Sequence, residues 1–349
     1  DVDEVLRQGD LAGAGVHGLI LPGQGSAVCG RVPANRLGFG FMAKKNRPGA
    51  RPTASTRPGG KPDSVPPQPP KPKRQIAPYV ARPFEGLPQE SAWVAMREVV
   101  PAATAQVRTT KEHGGHDVTI VSLLPDLLPA LRREDGVILV ALQTVGSSGD
   151  ASRDVADAIL QAVELEPGGG LGSIDLPEPG PRLQDILDLT VPFEVTVHDT
   201  FDYWVTSDEK KDEDVAHALE DANELIVPTV AVPVADGLGA AYWCRMNGKE
   251  FLRWSIPGEE EVTLDALARL HAARTSSLDD DARLIGAFRT CGVLVPVWEL
   301  ARGSEADELT DAVKALGSRL RDALDTTDPL TSDQRRARAG LVSRQVNLR

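Results

Sequence analysis

Several signals of well-known protein classes are missing from this chain of 349 residues. Its three cysteines, Cys29, Cys244 and Cys291, lie far apart and form no C-x-x-C pair, which argues against a disulfide framework and against a cysteine zinc site. No apolar run reaches the roughly 18 residues of a transmembrane helix, and no secretory signal opens the chain. The sequence therefore predicts a cytoplasmic protein that is not attached to a membrane.

Nucleotide-binding motifs are scarce as well. The P-loop pattern G-x-x-x-x-G-K-[ST] does not occur, which argues against P-loop motor chemistry. Residues Gly13–Gly18 match G-x-G-x-x-G, but a charged segment precedes them and Leu-Pro-Gly follows, whereas a dinucleotide site needs a strand before and a helix after the motif. We therefore expect no cofactor.

Aromatic residues make up only 4% of the chain, so its core must rely on valine, leucine and alanine. The net charge of −13 is unevenly distributed. Residues 42–83 carry ten basic side chains and one acidic, residues 335–349 carry five basic and none acidic, and residues 84–334 carry 20 basic and 46 acidic. This pattern predicts an acidic body with two basic tails.

The two N-terminal segments differ in character. Residues 1–41 are Gly-rich and show no helical or strand period, so we interpret them as a non-native or misread leader before a natural start at Met42. Residues 42–82 are basic and rich in proline, which predicts disorder with polyproline-II character. This tail is either a solubilising segment or an electrostatic arm for RNA, DNA or the acidic body. Since no aromatic residues are interleaved, a nucleic-acid contact through residues 44–74 would be salt-sensitive.

Ordered structure is predicted to begin near Arg82. From there to the C-terminal tail we predict an α+β fold. Periodicity predicts helices over Ser91–Val99, Arg153–Leu165, Asp212–Leu225, Val262–Ala273 and Glu305–Leu324. Runs of β-branched and aromatic residues predict strands over Val118–Leu123, Gly136–Leu142, Phe193–Val205, Thr229–Val234, Ala240–Arg245, Glu250–Ile256 and Gly292–Leu300. Asn247-Gly248, between two of these strands, is the strongest hairpin signal.

The order of the predicted elements is similar in the two halves of the body. Each half reads strand, strand, helix, strand, acidic turn, helix. We therefore predict two similar lobes, residues 83–226 and residues 227–327, related by an internal duplication. Residues 328–349 form the basic C-terminal tail, for which a disordered tail, a docked tail and a short basic amphipathic segment remain open.

The sequence VHDTFDYW, residues Val197–Trp204, is the stretch most typical of a catalytic site. If it forms a strand, alternation places His198 and Asp202 on one face. His198, with Asp199 or Asp202, then has the groups of a general base and its orienting carboxylate. No nucleophile is evident nearby, so a hydrogen-bonded polar face is the alternative.

Two further clusters have a chemical interpretation. His113, His116 and Asp117 offer three metal ligands within five residues, although the two glycines between the histidines favour a solvated turn, so no metal is expected. Cys291 and His271 suggest a nucleophile and its base, with a buried cysteine beside a core histidine as the alternative.

Aromatic residues near the predicted hairpin suggest a binding surface. Trp243, Arg253 and Trp254 flank the turn and are candidates for a partner-binding patch, with core packing as the alternative. A protein partner would bind there or in a groove between the lobes.

Three stretches resemble a family of unknown function from high-GC Gram-positive bacteria: RPFEGLPQESAWVAMREVVPAATA from Arg82, GKEFLRWSIP from Gly248 and TSSLDDDARLIGAFRTCGVLVPVWEL from Thr275. Its members often carry the labels preprotein translocase SecA or topoisomerase II. The SecA label implies a Walker-type nucleotide site and clustered zinc-binding cysteines, and this sequence has neither. We therefore expect a non-catalytic binding or adaptor protein. A hydrolase using His198 is the alternative, and the labels imply a translation- or secretion-associated factor.

Overall fold

The computed structural model describes residues 78–172 and 180–343, and the backbone of residues 345–347. The leader interpretation of residues 1–41 and the contact predicted for residues 44–74 lie outside the described residues. Among the described helices, none is long and apolar enough to cross a membrane.

The first sheet has five short strands: β1 (Ala103–Arg108), β2 (Asp117–Val121), β3 (Ala130–Arg132), β4 (Ile138–Ala141) and β5 (Thr196–Val197). Their order across the sheet is β3-β4-β2-β1-β5, with β2 and β4 parallel and the other pairs antiparallel. Burial alternates along β1, whose second, fourth and sixth side chains are the less buried ones. One face of β1 therefore packs on the core, and the other is more open.

Four helices complete the first half: α1 (Glu90–Glu98), α2 (Ala151–Ala162), α3 (Leu183–Ile186) and α4 (Glu213–Asn223). The first three contribute to the core on the inner face of the sheet, where the rings of Trp93 and Phe193 stack with centroids 3.8 Å apart. The outer face is covered in part by α4 and by the rings of Phe201 and Trp204.

The second sheet has six strands: β6 (Thr229–Val232), β7 (Ala240–Met246), β8 (Lys249–Ser255), β9 (Arg283–Thr290), β10 (Val293–Glu299) and β11 (Gln345–Asn347). Their order is β11-β9-β10-β8-β7-β6, and only the β11–β9 pair is parallel. Asn247 and Gly248 have φ values of 51° and 71°. This left-handed pair is what a two-residue type I′ hairpin needs, so the predicted hairpin is confirmed.

Three helices belong to the second half: α5 (Glu260–Ala272), α6 (Thr310–Leu324) and α7 (Ser332–Ser343). Helices α5 and α6 cover one face of the second sheet, where the fully buried Trp254 and Trp298 form the centre of the core. Each indole has a backbone acceptor, because Nε1 of Trp254 donates to the oxygen of Leu238 and Nε1 of Trp298 to that of Ser276, both at 2.7 Å. These bonds allow the polar end of each ring to be buried.

The two sheets are joined through α1. Its buried side chains belong to the same cluster as those of the first sheet and as Tyr242 and Val295 of the second sheet. Arg82, in the segment before α1, adds an electrostatic link: it donates to Glu90 at 2.9 and 2.7 Å and to Glu259, at the start of α5, at 2.8 Å. We call residues 78–85, which run along this junction, the N-terminal strap.

The predicted α+β class is confirmed, but two expectations about the body are corrected. The strand predicted over Phe193–Val205 is reduced to the two residues of β5, and Asp202–Trp204 form a 3₁₀ turn. The turn brings the rings of Phe201 and Trp204 into one stack, with centroids 4.1 Å apart, whereas a strand would place residues three apart on opposite faces. The expected duplication is not seen in the topology, since the first sheet has an internal parallel pair and β6 to β10 are antiparallel throughout.

The C-terminal tail is also more ordered than a disordered tail would be. Residues Ser332–Ser343 form α7, which packs against α5, and β11 follows on the edge of β9. A reciprocal pair of bonds begins the helix: the backbone N–H of Gln334 donates to Oγ1 of Thr331 at 3.3 Å, and that of Thr331 donates to Oε1 of Gln334 at 2.9 Å. This is a capping box, and of the three alternatives for the tail the structure selects the docked one over these residues.

Candidate functional site

His198 directly follows β5, at the open edge of the first sheet. Its backbone N–H continues the pairing with β1 by donating to the oxygen of Ala102 at 2.9 Å. Its Nε2 lies 2.9 Å from Oγ1 of Thr104, on the less buried face of β1. The histidine is therefore held against a hydroxyl that is 94 positions away in the sequence.

The surroundings of His198 favour a neutral imidazole. Burial lowers the pKa of His198 below its ordinary value of 6.5, and the nearby charge of Asp199 opposes that shift. The ring of Tyr203 lies beside it, with ring centroids 5.0 Å apart. The Tyr203 hydroxyl is shielded from solvent, and burial raises the pKa of Tyr203 well above its usual value. Both groups are therefore uncharged at neutral pH.

The two carboxylates expected to orient His198 have other surroundings. Asp202 pairs with Lys210, whose Nζ lies 2.6 Å from Oδ2. Asp199 is exposed and affects His198 through its charge. The arrangement that the fold creates is a hydroxyl beside a neutral imidazole, Thr104 with His198, which has the groups of a nucleophile and its general base.

A row of polar side chains extends this site along the outer face of β1. Gln106 donates to Oγ1 of Thr119 on β2 at 3.0 Å, and Arg108 donates to both carboxylate oxygens of Asp117 at 2.7 and 3.1 Å. The hydrogen bond from Arg108 lowers the pKa of Asp117. Together with Thr104–His198, these are three polar side-chain pairs on one face of the sheet. We call the surface that the three pairs form the polar face.

The candidate metal ligands His113 and Asp117 contact other side chains. Nδ1 of His113 lies 2.9 Å from Oγ1 of Thr110, and Asp117 points to Arg108 on the polar face. The turn at Gly114 and Gly115 has φ values of 90° and 65°, as the two glycines suggested. Within the described part of the chain, no group of three histidine, cysteine or acidic side chains has the spacing of a metal site.

The proposed aromatic patch is corrected by burial. Trp243 is 3% exposed, Arg253 is 3% exposed and Trp254 is fully buried, so none of them offers a surface to a partner. Nε1 of Trp243 donates to the backbone oxygen of Ser304 at 2.9 Å, which holds that ring inside the fold. The two tryptophans belong to the core under α5 and α6 because residues 243 and 254 project from the helix-covered face of β7 and β8.

Cys291 and His271 have separate neighbours. Burial raises the pKa of Cys291 to about 12, and the charge of Arg97 on α1 partly opposes this rise. His271 lies on α5, with Nδ1 3.1 Å from Oγ of Ser276. A thiol with a raised pKa is a poor nucleophile, so these contacts favour a partly buried structural cysteine, although His271 does not lie beside it.

The docked helix α7 forms the clearest contact between basic and acidic parts of the chain. Nε of Arg338 donates to Oδ1 of Asp265 on α5 at 2.7 Å, and Nη2 of the same side chain donates to Glu261 one turn earlier. Leu341, one turn further along α7, is 1% exposed and joins the core of the second half. One arginine and one leucine, three residues apart on one helix face, therefore anchor the helix.

One of these features was missed by sequence reasoning, and another was left open as one of three alternatives. Thr104 belongs to β1, which was not predicted, so no nucleophile was assigned to His198. The docking of α7 had a signal in the sequence, because Thr331-Ser-Asp-Gln334 is a capping-box pattern.

Comparison with known proteins gives one match. No curated protein and no solved structure is significantly similar to this chain. Residues 83–349 match a family described as a family of unknown function, DUF5926. The match covers α1 to α7 and both sheets, and the chain belongs to this family.

Proposed function

We propose that the protein is a binding or adaptor protein whose acidic body receives basic, arginine-bearing helical segments. The observation that supports this proposal is the docking of α7, in which Arg338 contacts Glu261 and Asp265 while Leu341 enters the core. We call the surface of α5 under α7 the receptor face. Its resting occupant is the chain's own α7, and its partner is a protein helix with the same arginine and leucine spacing.

The energies of this contact suit reversible binding. Glu261 is 79% exposed and Asp265 is 36% exposed, so each ion pair with Arg338 contributes at most about 1 kcal/mol. Burial of Leu341 contributes about 1.5–3 kcal/mol. Leu341 contributes most of the binding free energy, and Arg338 determines the position of α7 along α5. A competing helix with both residues can therefore replace α7.

The remaining charge of the body fits the same role. Residues 84–334 carry 46 acidic and 20 basic side chains, so the body attracts basic segments from a distance and repels polyanions. Under this proposal the basic N-terminal tail is the part that reaches a polyanion, and any nucleic-acid contact through residues 44–74 weakens steeply with salt.

The test uses a labelled peptide of residues 328–349 and fluorescence anisotropy. The full chain with Arg338→Glu and Leu341→Asp should release α7 and bind the peptide. The wild-type chain is the matched control, because its tethered α7 is present at a high effective concentration and should weaken peptide binding by at least about tenfold. Equal affinity for the two chains, or no binding to either, would refute the receptor face.

A hydrolase is the second candidate function, and one observation favours it. Thr104 and His198 are in hydrogen-bond contact at 2.9 Å, and burial lowers the pKa of His198, which keeps the imidazole available as a base. Replacing His198 by Ala distinguishes the alternatives. Loss of ester hydrolysis with an unchanged thermal midpoint would support catalysis, whereas a change in stability alone would leave the pair a structural contact.

The role implied by the SecA and topoisomerase II labels, a translation- or secretion-associated factor, remains a prediction. Recovery of ribosomal or translocation components with the tagged chain after nuclease treatment would support it.

A further inference from the structure

Arg253 is a buried arginine in the face of the second sheet opposite the helices. It lies on β8, directly across from Tyr242 on β7 and from Val297 on β10. Its neighbours Leu252 and Trp254 project to the helix-covered face, so Arg253 projects to the face that meets α1 and the first half. Only 3% of the residue is exposed.

The guanidinium of Arg253 has no counterion among the described residues. Among those residues no carboxylate forms an ion pair with Arg253, and its Nε is shielded from solvent without a hydrogen-bond partner. The titratable neighbour is the thiol of Cys244. Burial raises the pKa of Cys244, and the charge of Arg253 with a hydrogen bond between the two side chains only partly opposes that rise, so the thiol is neutral and supplies no negative charge.

The guanidinium group of an arginine carries a positive charge in proteins. Burying such a charge without a counterion is unfavourable, and buried charges in proteins are normally paired. A second unpartnered donor lies two residues along the strand: Oγ of Ser255, in a residue that is 1% exposed. Residues two apart on a strand share a face, so both donors belong to the same surface.

We propose that Arg253 anchors a binding site for a small oxyanion, a carboxylate or a phosphate group, with Ser255 as a second donor, between the second sheet and the first half. An oxyanion accepts several N–H bonds from one guanidinium and would neutralise its charge. This site is independent of the receptor face, because it lies on the opposite side of the second sheet from α5.

The test is isothermal titration calorimetry of the full chain with inorganic phosphate and, separately, with acetate, at constant ionic strength set by chloride. We expect one saturable site for at least one of the two anions. The variant Arg253→Met should lose at least about a hundredfold in affinity, and Arg253→Lys, which keeps the charge but not the planar fork, about tenfold.

The exposed Arg302 provides the control. Arg302→Met changes the net charge equally and should leave the affinity unchanged. Thermal unfolding gives a second readout: saturating anion should raise the midpoint of the wild-type chain by about 4 °C and leave that of Arg253→Met unchanged. Absence of saturable binding of both anions by the wild-type chain, or the same affinity in Arg253→Met, would overturn the proposal. Preference for phosphate or acetate identifies the class of ligand.

Discussion

The substitution Gly292→Ala tests how the N-terminal strap holds the two halves of the protein together. Cys291 and Gly292, with φ values of 45° and 75°, form the turn between β9 and β10. An ideal Cβ at position 292 would lie 2.0 Å from Cγ of Arg82 and 2.8 Å from the backbone oxygen of Ala81. The strap therefore passes over this turn with no room for a methyl group, and Gly292→Ala must displace it.

The other type I′ turn provides a matched control. Gly248 has a φ of 71° and follows Asn247 as Gly292 follows Cys291, but a Cβ at position 248 meets no atom within 4 Å. Gly248→Ala should therefore cost only the left-handed strain of an alanine, about 1 kcal/mol. Gly292→Ala adds the loss of the Arg82–Glu90 contact, a charged pair whose side chains are 16% and 10% exposed, which is worth about 2 kcal/mol.

Urea unfolding followed by tryptophan fluorescence measures both variants. We expect losses of about 3 kcal/mol for Gly292→Ala and about 1 kcal/mol for Gly248→Ala, with equal m-values. In a chain that already carries Arg82→Ala, the difference between the two losses should shrink, because the Cγ contact and the Arg82–Glu90 pair have gone, while the close approach to the backbone oxygen of Ala81 remains. Equal losses in the wild-type background would refute the close packing of the strap on the turn.

Three further predictions concern stability. Arg182→Ala should cost about 3 kcal/mol in urea unfolding, because among the described residues it leaves the fully buried carboxylate of Asp150 with Arg153, at 3.8 Å, as its one ion-pair partner; a loss under about 0.5 kcal/mol would contradict this. Leu341→Ala should cost about 2–3 kcal/mol and speed amide exchange in α7 before that of the second sheet; uniform acceleration would argue against separate docking. Burial lowers the pKa of His198, so the unfolded state takes up its proton first as pH falls below 6.5. The wild-type chain should therefore lose more stability between pH of about 7 and 5 than His198→Asn, and parallel pH profiles would contradict that shift.

The elements that could be predicted are those with a local signal. The helices α1, α2, α4 and α5 have an apolar period along their own length, and the β7–β8 hairpin has Asn247-Gly248 at its turn. In contrast, β1 begins two residues after a proline and contains alanine and glutamine, and β9 contains Gly286, so neither is typical of a strand. Pairing with neighbouring strands, which a local pattern does not describe, stabilises both.

The candidate site was predictable only as single residues. His198 was identified from its sequence, but its partner Thr104 is brought to it by the β1–β5 pairing. The aromatic patch was wrong because strand alternation does not say which face of a sheet the helices cover. In this chain α5 and α6 cover the face with Trp243 and Trp254, and Arg253 is buried on the other.

The central claim, that the receptor face recognises a basic helix through its own acidic side chains, is tested most directly by a charge exchange. Two full-length proteins are compared, both with α7 released by Leu341→Asp, and the second also carries Asp265→Arg. Each protein is titrated with two peptides of residues 328–349, the native one and one with Arg338→Asp. We expect each matched pair, with opposite charges at positions 265 and 338, to bind at least about tenfold more tightly than either mismatched pair. If the affinity depends on the net charge of the peptide but not on the residue at position 265, the account is contradicted.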